Sequence, residues 1–368
     1  MNGRKIALPL VLVLGVLLAA GCDDLMQSTG QSFINFGDFA VHRKTEYSEM
    51  RDGAGRRLAL IPKGAPPPPG FGPTEVIEAP VGRVVAFGSF DVAILHALGA
   101  DEAIVGVVAP AEKWHVDYMK EGFAEGRIHY VGEPNALDYE RIKVLKPDMV
   151  MTWDPSIVPM MNEMGIPVVV TSTPLATCLA TYIRFVQFIS PFFGKEPEGD
   201  LFYARVRDAL EDIREKTRGH PKPNAMWGDI FEKRVLVEPG NSWVAEMVGL
   251  AQSDYLFDDV YGASCIEISM ERFIYSGRNA DIYFTYRAGL TSKASLVLIN
   301  PLLAGIKPMS PAGRAYSPRP HYSQSADRMD EILTEIAAIL HPDVYPDHEL
   351  QFFVELPNED PLQTAQVN

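Results

Sequence analysis

Residues Arg83 to Val107, RVVAFGSFDVAILHALGADEAIVGV, constrain the fold of this chain more than any other stretch. Val84 to Phe87 is an apolar run of strand length, and Gly88-Ser89 breaks it. Asp91 to Leu98 then places Ile94, Leu95 and Leu98 on one helical face. Gly99 supplies a helix stop, and Ile104 to Val107 is a second apolar run. This is the pattern of a βαβ unit. Strands that are apolar throughout predict a parallel sheet covered on both faces. Such sheets bind ligands outside the carboxyl ends of their strands, which makes the loop at Ser89 and Phe90 a candidate site.

The pattern repeats downstream. Asp138 to Leu145 predicts a helix, Met149 to Met151 a strand, Ile157 to Met164 a helix and Val168 to Val170 a strand. These strand ends deliver Ser89, Trp153 and Thr173 to one rim. Leu175 to Phe193 and Glu198 to Thr217 predict a long helical stretch, and Gly219 to Pro223 interrupts the chain before the α/β pattern resumes. Ala225 to Trp227, Val235 to Val237, Ile282 to Phe284 and Arg314 to Tyr316, the expected last strand, read as strands. Residues Gly228 to Arg234 read as a connection. Trp243 to Leu250, with Ser242 as N-cap, and Ser325 to Leu340 read as helices. The expected fold class is α/β, with two Rossmann-like lobes joined by a single long helix and a ligand cleft between them.

The first residues read as a targeting segment. Arg4 and Lys5 precede Ile6 to Ala20, which is apolar but short for a membrane span. Leu18-Ala19-Ala20-Gly21-Cys22 resembles the bacterial lipobox, which implies lipidation of Cys22 and anchoring at a membrane surface. Asp23 and Asp24 resemble the signal that retains lipoproteins at the inner membrane. The expected location is therefore the periplasmic face of that membrane or the outer cell surface. Residues 23–80 read as a tether, a hairpin around Asp52-Gly53-Ala54-Gly55-Arg56 and a spacer at Pro66 to Pro69. The expected division is a leader at 1–22, this adaptor at 23–80 and a first lobe at 81–175. A connector at 176–220, a second lobe at 221–346 and a tail at 347–368 complete it. A formal charge of -15 with no basic stripe argues against a nucleic-acid partner. Cys178 and Cys265 could pair or stay as free thiols; the sequence does not bring them together.

Several stations in order resemble the helical-backbone class of substrate-binding proteins of ABC importers, which carries ferric siderophores, haem and cobalamin. They are the opening βαβ unit, LDYERIKVLKPDMV at Leu137 to Val150, Gly165-Ile166-Pro167-Val168-Val169, SWVAEMVGLAQSDYLFDD, and Ile339-Leu340-His341-Pro342. The resemblance implies a monomeric, non-enzymatic protein that captures a small-molecule metal chelate and meets a permease and its ATPase. It also implies one exposed docking glutamate on each lobe, at the positions of Glu140 and Glu246. No cofactor is expected; the iron complex would be cargo.

Strand-end loops offer aromatics (Phe90, Trp114, Trp153, Trp227, Trp243, Tyr286, Tyr322) and cations (Lys233, Arg234, Arg287, Arg319) suited to flat or anionic chelates. The expected ligand-binding set is Ser89, Phe90, Trp114, Trp153, Thr173, Trp227, Tyr286, Arg287 and Tyr322. Trp153, Trp227, Tyr286 and Arg287 carry most weight, because each directly follows a strand. A bare metal ion needs converging His and carboxylate ligands, but His96, His115, His129 and His321 are scattered, though His115 and His321 could meet across the cleft. No metal site is expected. Molybdate or another oxyanion, cobalamin, or a sensor role without transport remain as alternatives. The chain has no G-x-S-x-G, Walker A, G-x-G-x-x-G after a strand or HExxH, so an enzyme is not expected.

Overall fold

The computed structural model describes residues 33–173, 178–231 and 233–359. The leader, with Cys22, lies outside them. Strands β1 (Phe33–Phe36), β2 (Phe39–Arg43), β3 (Ser48–Arg51), β4 (Arg57–Pro62) and β5 (Val76–Ala79) form one sheet in that order. It is antiparallel up to β4 and parallel between β4 and β5. The expected hairpin is β3–β4, and Pro66 to Pro69 lies outside every strand. Phe33 to Phe39, which reads as either a short strand or a loose tether, supplies β1 and the start of β2. Each of these strands is short, and its buried residues (Phe39, Val41, Met50, Leu58, Leu60, Ile77) join a core built largely by later segments. The local pattern therefore carries little of the stabilising contact.

The first lobe follows: β6 (Val84–Ala86), α1 (Ser89–Ala97), β7 (Ile104–Val107), α2 (Asp117–Ala124), β8 (His129–Tyr130), a small ladder of β9 (Gly132–Glu133) with β10 (Ala136–Leu137), α3 (Tyr139–Leu145), β11 (Met149–Thr152), α4 (Val158–Glu163) and β12 (Val168–Val170). The sheet order is β12-β11-β6-β7-β8 and every pairing is parallel. Both faces are covered, as the apolar runs require. Val85, Val150 and Val168 pack with Ile142 and Met161, whereas Val84, Ala86, Met149 and Met151 pack on the other side with Ile94.

The β3–β4 turn grips the β12 edge of this sheet. Gly53 N donates to the Val170 carbonyl at 2.9 Å, and the buried Asp52 carboxylate accepts from Val170 N at 3.1 Å. A Cβ at Gly53 would lie 1.9 Å from the Ser172 carbonyl oxygen, so only glycine permits this approach.

Two helices occupy the expected helical stretch. Helix α5 (Leu179–Phe193) ends at Gly194, whose φ of 63° is the left-handed cap that stops it, and α6 (Glu196–Lys216) follows. The 21-residue α6 is the long connector. Helix α5 is a core element: Phe39 of the first sheet packs 5.2 and 4.9 Å from Phe185 and Phe188.

The second lobe contains β13 (Asn224–Phe231), β14 (Arg234–Val237), α7 (Trp243–Leu250), β15 (Asp254–Tyr255), β16 (Ile266–Ile268), α8 (Met270–Gly277), β17 (Ile282–Phe284), α9 (Lys293–Ile299), β18 (Arg314–Pro318), α10 (Met329–Leu340) and β19 (Phe353–Glu355). Strands β15, β13, β17 and β18 run parallel, while β14, β16 and β19 are antiparallel additions. Two expectations change here. Residues Gly228 to Phe231 continue β13 into a hairpin with β14, and β19, from the expected tail, pairs with β18, so Arg314 to Tyr316 is not the last strand.

Candidate functional site at the lobe junction

Tyr182 on α5 stands where the lobes meet. Its ring stacks on Trp243 of α7 at 4.6 Å and an interplanar angle of 4°, and lies 4.4 Å from Phe90 of α1. One aromatic column thus joins the first lobe, the connector region and the second lobe. Beside it lies a cavity of about 250 Å³ bordered by Tyr182, Glu238, Ser242, Trp243, Ser264 and Cys265. Glu238 follows β14 directly, and Pro239-Gly240 turns the chain there.

The cavity's polar groups converge on Glu238. The Tyr286 hydroxyl donates to Glu238 Oε1 at 3.1 Å, and the Cys265 thiol reaches the same atom at 3.6 Å. Tyr255 donates its hydroxyl to the Glu238 backbone carbonyl at 2.8 Å. Burial pushes the Glu238 carboxyl above its ordinary range, and hydrogen bonds from Tyr286, Cys265 and Ser242 only partly oppose this. Burial and the nearby Glu238 likewise push the Cys265 thiol up, so it is not an activated nucleophile.

Direct contacts hold the lobes together around the cavity. Ser89 Oγ donates to the Ser323 carbonyl at 2.9 Å, His115 N to Gln324 Oε1 at 2.8 Å, and Gln324 Nε2 to the Lys113 carbonyl at 2.8 Å. Behind Ser89, the buried Asp91 carboxylate accepts from Gly88 N and Thr171 Oγ1, tying together the loops after β6 and β12. Loss of hydration raises its pKa to about 7.

Of the residues expected to bind ligand, Ser89, Phe90, Tyr286 and Tyr322 come to this junction. Tyr322 opens the short turn Tyr322–Gln324 that contacts α1, and its ring lies 4.8 Å from Phe353. The others lie elsewhere. Trp227 is 3% exposed and stacks on Phe284 at 4.5 Å, and Trp114 is 4% exposed with its indole N–H on the Ala109 carbonyl. Burial leaves neither ring a cleft surface. Arg287 turns away from the cleft, its Nε 2.9 Å from the buried Asp229 carboxylate, its Nη2 on the Ile230 carbonyl and its guanidinium over the Phe231 ring. Trp153 is exposed, and Thr173 borders a separate cavity with Arg51, Gly53 and Ser172, because the first sheet covers that end of the lobe.

Other cations are also engaged. Arg234 pairs with Glu267 at 2.8 Å, and Arg319 contacts the Leu350 carbonyl. His321 bonds the Gln351 carbonyl through Nε2. Among the described residues, no group of three or more His, Cys, Asp or Glu side chains is arranged to hold a metal ion. Cys178 and Cys265 are free thiols.

The two expected docking glutamates differ. Glu140 is exposed in the first turn of α3. Glu246, expected to be exposed, is partly buried, and its Oε2 accepts from Leu179 N at 2.6 Å at the start of α5. It caps that helix. Tyr182 and Glu238 were missed by the sequence reading. Tyr182 sits in an apolar helical run that reads as core, whereas Glu238 carries a usable signal as a carboxylate between a strand and Pro-Gly.

A sequence profile described as periplasmic binding protein matches residues 84–308. An uncharacterized lipoprotein of Methanocaldococcus jannaschii is 25% identical over 333 residues, covering 85% of this chain and 79% of that protein. Among solved structures, CeuE of Helicobacter pylori, described as a Ni-His complex, superimposes with a TM-score of 0.62 at 18% identity, covering 82% of this chain and 90% of the other. The periplasmic heme-binding protein RhuT of Roseiflexus sp. RS-1, in apo form, gives 0.53 at 21% identity, with coverage of 71% and 98%.

Proposed function

This chain belongs to the periplasmic binding protein family, a family of solute-binding proteins rather than enzymes, and on that premise we propose that it captures an iron complex, a siderophore or haem, for an ABC importer. The observation that carries the reading is the aromatic column Phe90–Tyr182–Trp243, which links the two lobes, beside a cavity formed by Tyr182 and the Glu238 region of the second lobe. Stacked rings with a few convergent polar groups suit the faces of a chelate. A lipid anchor at Cys22 would hold the body near the permease, in keeping with the name of the Methanocaldococcus relative. Glu140 and Glu246 are the proposed permease contacts, one on each lobe.

The mechanism follows from the contacts. A cavity of about 250 Å³ is smaller than the roughly 300–1,000 Å³ typical of small-molecule sites. Entry of a chelate therefore requires the Ser89–Ser323 and Gln324–Lys113 bonds to part. Cargo held from both lobes then favours their renewed approach, and the α6 connector limits the motion to a small hinge. Purification from its own host, followed by absorbance and metal analysis, tests the reading. A co-purifying iron chromophore at about one equivalent is expected. A protein that neither carries nor binds any iron chelate would refute it.

A further inference from the structure

We propose that the cleft selects a chelate presenting a positively charged group to Glu238, and discriminates against polyanionic chelates. This inference rests on the reading of the lobe junction as the cargo site and concerns which cargo that site accepts.

Its basis is an imbalance of charge. Glu238 borders the cavity, is partly buried, and among the described residues receives neutral donors, the Tyr286 hydroxyl, the Cys265 thiol and Ser242. Among the described residues, the side-chain hydrogen bonds of Glu238, Cys265 and Tyr286 run to one another and to Ser242, and none comes from a basic group. The internal residues outside those described, 174–177 and 232, are Pro-Leu-Ala-Thr and Glu, none of them a cation.

The second lobe has an arginine for a buried acid, but spends it on Asp229. Lys233 lies at the tip of the β13–β14 hairpin. The Gly228–Val237 and Phe231–Arg234 pairs are three steps apart, roughly 10 Å at ~3.3 Å per residue, so Lys233 lies beyond that reach from the Glu238 end. A buried carboxylate without a countercharge is costly, and a ligand ammonium would relieve that cost. A carboxylate- or catecholate-rich cargo would instead add like charge to the same space.

A matched pair of ligands isolates the effect. Ferrioxamine B carries a pendant ammonium, and its N-acetyl derivative keeps the same iron core without it. Titration calorimetry on the full chain, in detergent, is expected to give at least tenfold tighter binding of ferrioxamine B than of the acetylated form. Glu238→Gln should reduce that preference to less than about threefold. Ferric enterobactin and haem, both anionic, should bind more weakly than either.

Tightest binding of an anionic chelate, or equal binding of the matched pair, overturns the charge inference and leaves chelate capture standing. Failure of every chelate to bind overturns the functional reading and this inference with it. Far-ultraviolet circular dichroism and the unfolding midpoint of Glu238→Gln separate misfolding from loss of recognition. Should Glu238→Gln misfold, the matched pair on the wild-type chain still decides.

Discussion

Tyr286 and Arg287 are neighbours at the end of one strand, yet each serves a different buried acid. Arg287 meets Asp229 inside the second lobe, where Thr285 Oγ1 and Ile230 N complete the carboxylate's shell. Tyr286 meets Glu238 at the cavity, where among the described residues no basic group answers the charge. The first acid is neutralised by the fold, as an architectural group should be. The second, partly buried where Asp229 is fully buried, keeps an unmet electrostatic demand at the proposed cargo site.

The largest effect should come from breaking the satisfied pair. Arg287→Ala leaves Asp229 buried without its cation and should lower stability by about 3–5 kcal/mol, read by urea unfolding. A loss below about 1 kcal/mol would mean that water or another group reaches Asp229. Glu246→Ala removes the carboxylate at the start of α5 and should cost about 1 kcal/mol. Glu140→Ala, at an exposed position, should leave the unfolding midpoint unchanged. If both glutamates dock the permease, the double variant loses uptake and retains ligand affinity; normal uptake by it would remove the docking role.

Smaller still is the effect of Glu238→Gln on stability, and its sign depends on pH. Burial raises the folded-state pKa of Glu238, so the folded state holds the proton more tightly than the unfolded state. The resulting stability is present at low pH and falls as pH rises from the ordinary value of 4.5 toward the raised one. Wild type should therefore lose ground to Glu238→Gln as pH increases across that window. Asp91 follows the same rule between 3.8 and about 7, and Asp91→Asn should remove that part of the pH dependence. Thermal melts of the variants across this range check both; curves parallel to wild type would count against the burial argument.

Much of the framework was legible because the first lobe repeats a strict grammar. The Ile104–Val107 and Val168–Val170 strands and the Trp243–Leu250 helix fall on the expected residues. The β1–β5 sheet was not legible, since its stability comes from α5 and the β12 edge rather than from its own short runs. Neither was the fate of the strand-end aromatics: a tryptophan after a strand can turn inward, as Trp227 does onto Phe284. Arg287 shows the same limit for charge, because its partner Asp229 lies 58 positions earlier in sequence, within a stretch that read as a connection. Tyr182 could not be distinguished from the phenylalanines around it until the second lobe placed Trp243 against its ring.

The most direct test of the account is a calorimetric titration of the wild-type chain and of Tyr182→Ala with the iron chelate that wild type binds best. One equivalent bound by wild type, with at least a tenfold loss in a still-folded Tyr182→Ala, is the predicted result, because Tyr182 joins the two lobes' contributions to the cavity. Equal affinity in the two proteins would place the cargo elsewhere and contradict the account.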